Sequence, residues 1–467
     1  MTKLIKKLKK VDIILILILV LASFLRFYRL AEMANFDFDQ EYASNFAYTI
    51  IKDYPIQLIG QGLSVEGLFL GPLYFYYLVP FFAIFNLHPL GGFVGSVIVG
   101  LVTILAYYLL ARELFGKNAG LIAAFLRSII YVSLNNDWNM APAYAAELVV
   151  LATWWCFYRY WRGQTKYLPH LAFLFGLYTS IHPILFPFYF VFIALFVIKR
   201  SFPKIKTIGV SLIAFVIPLS PLLVFEYLHD FWEVKKLLAF FIGPSMESPG
   251  LARLTSYSDF VFAEAYNILQ VPFLSNQVFL ILLSILFILL SFKKVSFFKQ
   301  NFHKIALPLT FIIFLAYYTF FPTHVPEYYF LALSSLTLLY ISVILAILSK
   351  NPISIIILFI ILANITWFNL NQLIEKKWTN PSQITLYHKD SIVKEIVKRQ
   401  SDKEEFFVSY ISALGWNFGF NYLFKLYGEI PQTREAKQPI YTIVMPKSLS
   451  PDSINISSGN IGVILPD

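Results

Sequence analysis

The sequence predicts an all-α polytopic membrane protein of about eleven spans, with interfacial helices in its first outer loop and a small α/β domain at its C-terminal end. Three observations carry this expectation. The chain is 58% hydrophobic and 18% aromatic, with only 14% charged residues, where soluble domains carry roughly 25% charge. Apolar runs of roughly 16 to 24 residues recur from Val11 to Leu370, near the length of about 20 that a bilayer-crossing helix needs. Beyond residue 371 the composition turns polar, with β-like runs at 406–410, 440–444 and 461–465 and a charged helix pattern at 389–400. The domain expectation is therefore 1–371 in the membrane and 372–467 outside it.

The net charge of +10 does not point to nucleic acid. The basic residues stand in short clusters between apolar runs, the distribution that orients helices across a membrane. Lys3, Lys6, Lys7, Lys9 and Lys10 precede the first run, which places the N-terminus in the cytoplasm. Arg26 and Arg29 follow it without a small-x-small cleavage pattern, so the run reads as a retained signal-anchor. Cys156 is the only cysteine, which leaves no intrachain disulfide and no cysteine-based zinc site.

Later basic clusters fall at Arg112/Lys117, Arg159/Arg162/Lys166, Lys199/Arg200/Lys204/Lys206, Lys293/Lys294/Lys299/Lys304 and Lys350. If all are cytoplasmic, an even number of crossings separates each pair. That condition decides the run 69–87, interrupted by Pro72 and Pro80, as an interfacial helix rather than a crossing. The spans are then expected at 11–30, 90–111, 119–135, 141–158, 167–181, 183–198, 207–228, 278–292, 305–321, 328–348 and 352–370. The outer face receives 31–89, the turn 135–140, the segment 229–277 and the C-terminal domain of about 95 residues, close to the usual domain range. A multi-pass plasma-membrane protein with an extracytoplasmic C-terminal domain results.

The chemistry is sought in the first outer loop, where Asp37, Asp39, Glu41, Asp53 and Glu66 stand in an otherwise apolar setting. Carboxylates beside lipid are expensive and call for a function. Asp39 lies among Phe36, Phe38 and Tyr42, a setting that desolvates a carboxylate and makes it a competent base. The plainer reading is a wet loop, or a helix N-cap before Tyr42–Ile51. Gly60, Gly62, Gly67 and Gly71 let backbone amides approach a ligand, and Pro72 stands where a helix can begin, a natural phosphate site. Scattered glycines also occur in ordinary loops. The second outer turn reads Asn135-Asn-Asp-Trp-Asn-Met140, with Asp137 and Asn139 at the lip of two spans. His182-Pro183 and His324-x-Pro-Glu327-Tyr-Tyr329 fall at other outer span ends, where interfacial turns are commoner than ligand sites. The histidines have no metal-ligand spacing. Glu147, inside a span, is expected to pair with a neighbouring helix or to mark a polar cavity.

These residues include a recognisable pattern: Phe38-Asp-Gln40, Leu58-Ile-Gly60, Ser64, Gly67-Leu-Phe69, Gly71-Pro-Leu-Tyr74, Arg112-x-Leu-Phe-Gly116 and Trp138-Asn139. On them the chain resembles the GT-C membrane glycosyltransferases, in the branch of the protein O-mannosyltransferases and lipid A aminoarabinose transferases. Residues 11–200 carry the likeness and the remainder follows by layout. The resemblance implies an inverting transferase that moves a sugar from a polyprenyl-phosphate donor to an acceptor hydroxyl at the outer membrane face, with Asp39 as general base. Many relatives carry a second acid where this chain has Asn139; either Asp137 takes that role or it is lost, and Asp137 is the expectation. The lysine that precedes Pro-Leu in the aminoarabinose transferases is Gly71 here, so phosphate needs another cation, from Lys235, Lys236 or Arg253, or a divalent metal.

The expected site is Asp39 and Asp137 as catalytic residues, with Gln40, Glu41, Glu66, Gly71, Tyr74, Asn139, His182, His324 and Glu327 as substrate-binding residues. The expected partners are the lipid-linked donor, the bilayer and an acceptor that is a protein, a lipid or a glycan. A lipid-linked oligosaccharide polymerase or ligase should depend on outer-loop arginines, of which Arg253 and Arg434 are the clear examples. A flippase should show Gly/Pro-broken helices in both halves and charge near the midplane.

Overall fold

The structure, a computed structural model, describes residues 13–242, 250–269, 301–349, 352–400, 405–428, 431 and 439–466. The lysines at 3–10, the expected span 278–292, Lys293, Lys294, Lys299, Lys350 and Arg434 lie outside the described residues.

The helices follow the apolar runs. In chain order they are α1 (Ile13–Phe27), α2 (Phe38–Lys52), α3 (Leu73–Ile84), α4 (Leu90–Phe115), α5 (Lys117–Ile129), α6 (Tyr131–Asp137), α7 (Pro142–Trp161), α8 (Leu168–Ile181) and α9 (Pro187–Lys199). Then come α10 (Ile205–Leu228), α11 (Trp232–Ile242), α12 (Leu251–Leu269), α13 (Asn301–Thr319), α14 (Leu331–Leu348) and α15 (Pro352–Leu373). Among the described residues five helical segments are long and apolar enough to cross a bilayer: 90–115, 205–228, 301–319, 327–348 and 352–378. The bent pair α5–α6 makes a sixth. The remaining expected spans within the described residues are shorter or more polar helices; α1 has 15 residues and α9 has 13. At 12 residues α3 extends only about 18 Å, short of the ~30 Å hydrocarbon core.

Two elements differ from the sequence expectation. The single span expected over 119–135 bends by 68° between α5 and α6. The segment 229–277, expected as an outer loop, carries the helices α11 and α12.

The largely apolar exterior and the buried core divide the labour as a bilayer requires. Large apolar side chains such as Ile213, Ile353, Phe359 and Trp367 are more than half exposed, which suits hydrocarbon rather than water. The interior is aromatic: Trp154, Tyr107, Tyr160, Tyr178 and Tyr318 are fully buried. This is a multi-pass membrane protein.

The C-terminal part holds α16 (Leu386–Arg399), α17 (Phe420–Leu426) and a four-stranded sheet of β1 (Phe407–Ser412), β2 (Ile440–Met445), β3 (Ile456–Ser458) and β4 (Ile461–Ile464). The strand order is β1-β2-β4-β3, with β1 parallel to β2 and the other pairs antiparallel. The parallel pair needs a crossover, and α17 lies on it. The α16 face carrying Ile392, Val393 and Ile396 is buried in the same core as Ile443, Ile461 and Val463.

Candidate active site

The site begins at the first turn of α2. Asp37 has extended backbone and is the N-cap, and the Gln40 side-chain oxygen accepts from the Asp37 N–H at 2.9 Å, one half of a capping box. The N-cap reading of these acids is therefore correct for Asp37. Asp39, one position into the helix, is free to face outward from it. It lines a cavity of about 580 Å³ together with Phe38, Tyr42, Gln61, Gly62, Leu63, Ser64, Leu70, Ala141, Pro142, Ala143, Tyr144, His182, Tyr328 and Tyr329.

Asp39 is half-buried. The Gln61 amide donates to Asp39 Oδ1 at 2.6 Å, which orients the carboxylate. Gln61 stands on a tight hairpin, in which Gly60 N–H donates to Leu70 O at 2.6 Å and Leu70 N–H donates to Gln61 O at 2.8 Å. The phenol of Tyr144 is within electrostatic reach of both Asp39 and Glu327, and that of Tyr328 feels Asp39 and Tyr144.

His182 sits in the break between α8 and the next turn. Its ring packs edge-on to Tyr328 and Tyr329, with centroids 5.7 and 5.3 Å away, and its Nδ1 accepts from Ile184 N–H at 3.3 Å. Burial pushes its imidazole down to about 3, so the ring is neutral at physiological pH. Burial also pushes the Tyr42 phenol up to about 12. The cavity thus joins one carboxylate to neutral hydrogen-bonding groups.

The other expected site residues lie elsewhere, with physical reasons. Asp137, expected at the lip beside Asp39, is buried among arginines. Arg127 binds it with two parallel bonds, at 2.7 and 2.9 Å, and Arg26 Nε donates to it at 2.6 Å. Arg127 also donates to Glu147 at 2.7 Å, whose other oxygen accepts from Tyr107 at 2.7 Å. Two guanidinium and two carboxylate groups form a neutral quartet, the arrangement that permits charge inside a membrane. Glu147 therefore pairs with neighbouring helices, one of the two outcomes open from the sequence. Arg26 also donates to the carbonyls of Arg127 and Ser128 at 3.1 and 3.0 Å. These belong to the last turn of α5, whose terminal carbonyls lose helical partners where the chain bends.

Gln40 is buried, and its amide donates to Asn139 Oδ1 at 2.8 Å; the same oxygen accepts from Ala141 N–H at 2.9 Å. Both residues support the cavity wall from behind. Glu41 is buried against the C-terminal domain, accepting from Gly419 N–H at 2.8 Å and Tyr422 N–H at 3.0 Å. Tyr74 is buried with its hydroxyl 3.2 Å from Ser96 Oγ. Gly71 donates to Thr179 O at 2.9 Å, and a Cβ there would fall 2.2 Å from Ser180 Oγ. Its amide and that of Gly60 are thus spent inside the protein, so the four-glycine cradle expected for phosphate is not assembled. Glu66 is exposed in the hairpin turn. His324 packs against Tyr257 with ring centroids at 5.3 Å, and Glu327 is exposed where the turn to Tyr328 begins.

Of the cations expected at phosphate, Arg253 donates to the carbonyls of Phe321 and Thr323 at 2.7 and 3.1 Å. Lys236 lies over the Trp232 ring at 4.8 Å, and Lys235 is exposed on the same helix. Among the described residues no three His, Cys, Asp or Glu side chains gather as a metal-ligand set. The sequence missed Gln61 and Tyr144, which carry no motif of their own, and Arg127, which stands in an apolar run and reads as a stray charge.

A model of the dolichyl-phosphate-mannose-protein mannosyltransferase family matches residues 70–225. ArnT from Cupriavidus metallidurans bound to undecaprenyl phosphate is similar in fold, with a TM-score of 0.54 at 10% identity over 96% of this chain and 97% of that one. ArnT from the same organism in the apo state has a TM-score of 0.56 at the same identity and coverage. No curated protein matches the chain in sequence. The fold is shared with these ArnT structures, the layout that the sequence motifs implied.

Proposed function

We propose, from the GT-C fold as premise, that the protein is an inverting glycosyltransferase that takes its sugar from a polyprenyl-phosphate donor and passes it to an acceptor hydroxyl in the Asp39 cavity. The observation that carries the reading is Asp39 itself: a half-buried carboxylate, held by Gln61, opening on a 580 Å³ cavity. The names of the similar proteins support the donor class, since one specifies dolichyl-phosphate-mannose and the other undecaprenyl phosphate.

In the proposed step, the Asp39 oxygen not engaged by Gln61 accepts the acceptor's hydroxyl proton. The acceptor oxygen forms a bond to the anomeric carbon as the bond from that carbon to the phosphate oxygen breaks. The bonding pair leaves with the polyprenyl phosphate, and the anomeric configuration inverts. A phosphate leaving group needs its developing charge met more than it needs a proton. The phenols of Tyr144, Tyr328 and Tyr329 and the neutral His182 ring are among the donors the cavity offers. The apolar exterior offers the donor's tail a hydrocarbon environment. The cavity is assigned to the outer membrane face on the distribution of basic clusters.

Asp39→Asn keeps the shape and removes the base. Transfer from a panel of polyprenyl-phosphate monosaccharides in proteoliposomes is expected to fall by about 10²-fold or more, with donor binding retained. Wild-type turnover in that variant rejects the assignment.

A further inference from the structure

We infer that Lys389 of the C-terminal domain is a positioning residue for Asp39, and that this domain acts as a clamp setting the catalytic turn of α2. The inference rests on the proposed role of Asp39 and extends it to a part of the chain that does not line the cavity.

The side chain of Lys389 is fully buried. Its ammonium donates to Phe36 O at 2.7 Å, Phe418 O at 2.8 Å and Asp37 Oδ1 at 2.9 Å, and reaches Trp416 O at 3.4 Å. A buried ammonium is tolerated only where its donors are satisfied and a counter-charge is near. The counter-charge is Asp37, the N-cap of α2, two residues before Asp39. One cation therefore ties the 416–418 loop to the start of the catalytic helix.

Glu41 closes the same clamp from the other direction through its bonds to Gly419 and Tyr422 N–H. Gly419 is required there. Its φ is +91°, and a Cβ would meet Phe36 O at 2.5 Å. With Gln40 bonded to Asn139, Asp37, Gln40 and Glu41 are each anchored in a different direction. Asp39 is the acid left facing the cavity. Its direction is thus set by three neighbours, two of them held by a domain more than 340 residues away in sequence.

This arrangement makes a prediction that general stabilisation does not. Lys389→Met, purified folded in detergent, is expected to lower kcat about 10- to 100-fold, the range for a reacting group displaced by an ångström, with donor KM unchanged. Hydrogen exchange at residues 37–42 should rise while α4 stays protected. Should Lys389→Met not fold, Asp37→Asn breaks the clamp from the α2 side and keeps an N-cap, with the same two readouts expected. Asp39→Asn is run in parallel. A kcat at the wild-type level in the clamp variant while Asp39→Asn is inactive overturns the inference and leaves the base assignment standing. A kcat loss with unaltered exchange at 37–42 overturns it as well. Full activity in Asp39→Asn instead removes the base assignment on which it rests.

Discussion

Asp37, Asp39, Glu41 and Asp137 look alike in sequence, as acids near an outer loop, yet the folded chain gives each a different partner. Asp37 faces Lys389, Glu41 faces two backbone amides and Asp137 faces two arginines. That difference was not legible beforehand, because every partner lies 100 or more residues away except Arg127, and Arg127 sits in a run that reads as a plain span. What was legible was the aromatic setting of Asp39, since Phe38 and Tyr42, which line the cavity with it, stand beside it in the chain. The contrast yields a prediction for Asp137. Removing one partner from a buried ion group leaves the others uncompensated, at a cost of about 3–5 kcal/mol. Asp137→Asn should therefore melt well below the wild type in detergent, with kcat unchanged in the fraction that stays folded. A folded Asp137→Asn protein that binds donor but has lost turnover by about 10²-fold would return this acid to the catalytic set.

Among elements, the apolar helices were readable because lipid demands long uninterrupted runs, and their observed limits fall within a few residues of the runs. The breaks were harder. The bend at Ile130 is stabilised by Arg26 donating to orphaned carbonyls, a contact between helices that no local pattern announces. The helix α11 was hidden for a similar reason. Its first amides are accepted by Glu226, at 2.9 Å from Glu233 N–H and 3.2 Å from Val234 N–H, across a tight turn. Glu233 then accepts from Phe69 N–H at 2.5 Å, so α11 latches onto the hairpin that carries Gln61. Burial, aided by the neighbouring Glu226, raises the Glu233 carboxyl to about 7, against the pull of the Phe69 amide. A raised acid binds more protons in the docked state than in the undocked one between its ordinary value and 7. The latch is therefore complete below the ordinary carboxylate range and weakens as pH rises through about 7. Exchange protection of Phe69 and the α11 amides, corrected for intrinsic rates, should fall between pH 5 and pH 8 and lose that dependence in Glu233→Gln. Equal protection at both pH values in the wild type rejects the latch.

At the scale of the whole molecule, the strands β1, β2 and β4 stand within two residues of the β-like runs, because alternation survives in a small sheet. The helix α17 and the three-residue β3 were missed, being too short to show a period. The sidedness of the molecule joins the two halves of the chain. The Tyr422 hydroxyl donates to Leu87 O at 2.6 Å, so the C-terminal domain and the α3–α4 turn share one face. From there α4 runs 26 residues, about 39 Å, enough to cross the ~30 Å hydrocarbon core and bring Lys117 to the other side. In the proposed orientation that other side is the cytoplasmic one, where positive charge such as that of Arg112 and Lys117 is retained. A topology reporter inserted after Leu87 and another at the C-terminus should both register outside, and one inserted after Lys117 should register inside. Signals from Leu87 and the C-terminus on opposite faces would break the link through Tyr422. An outside signal at Lys117 would reverse the membrane orientation and move the Asp39 cavity away from the face on which the proposed transfer takes place.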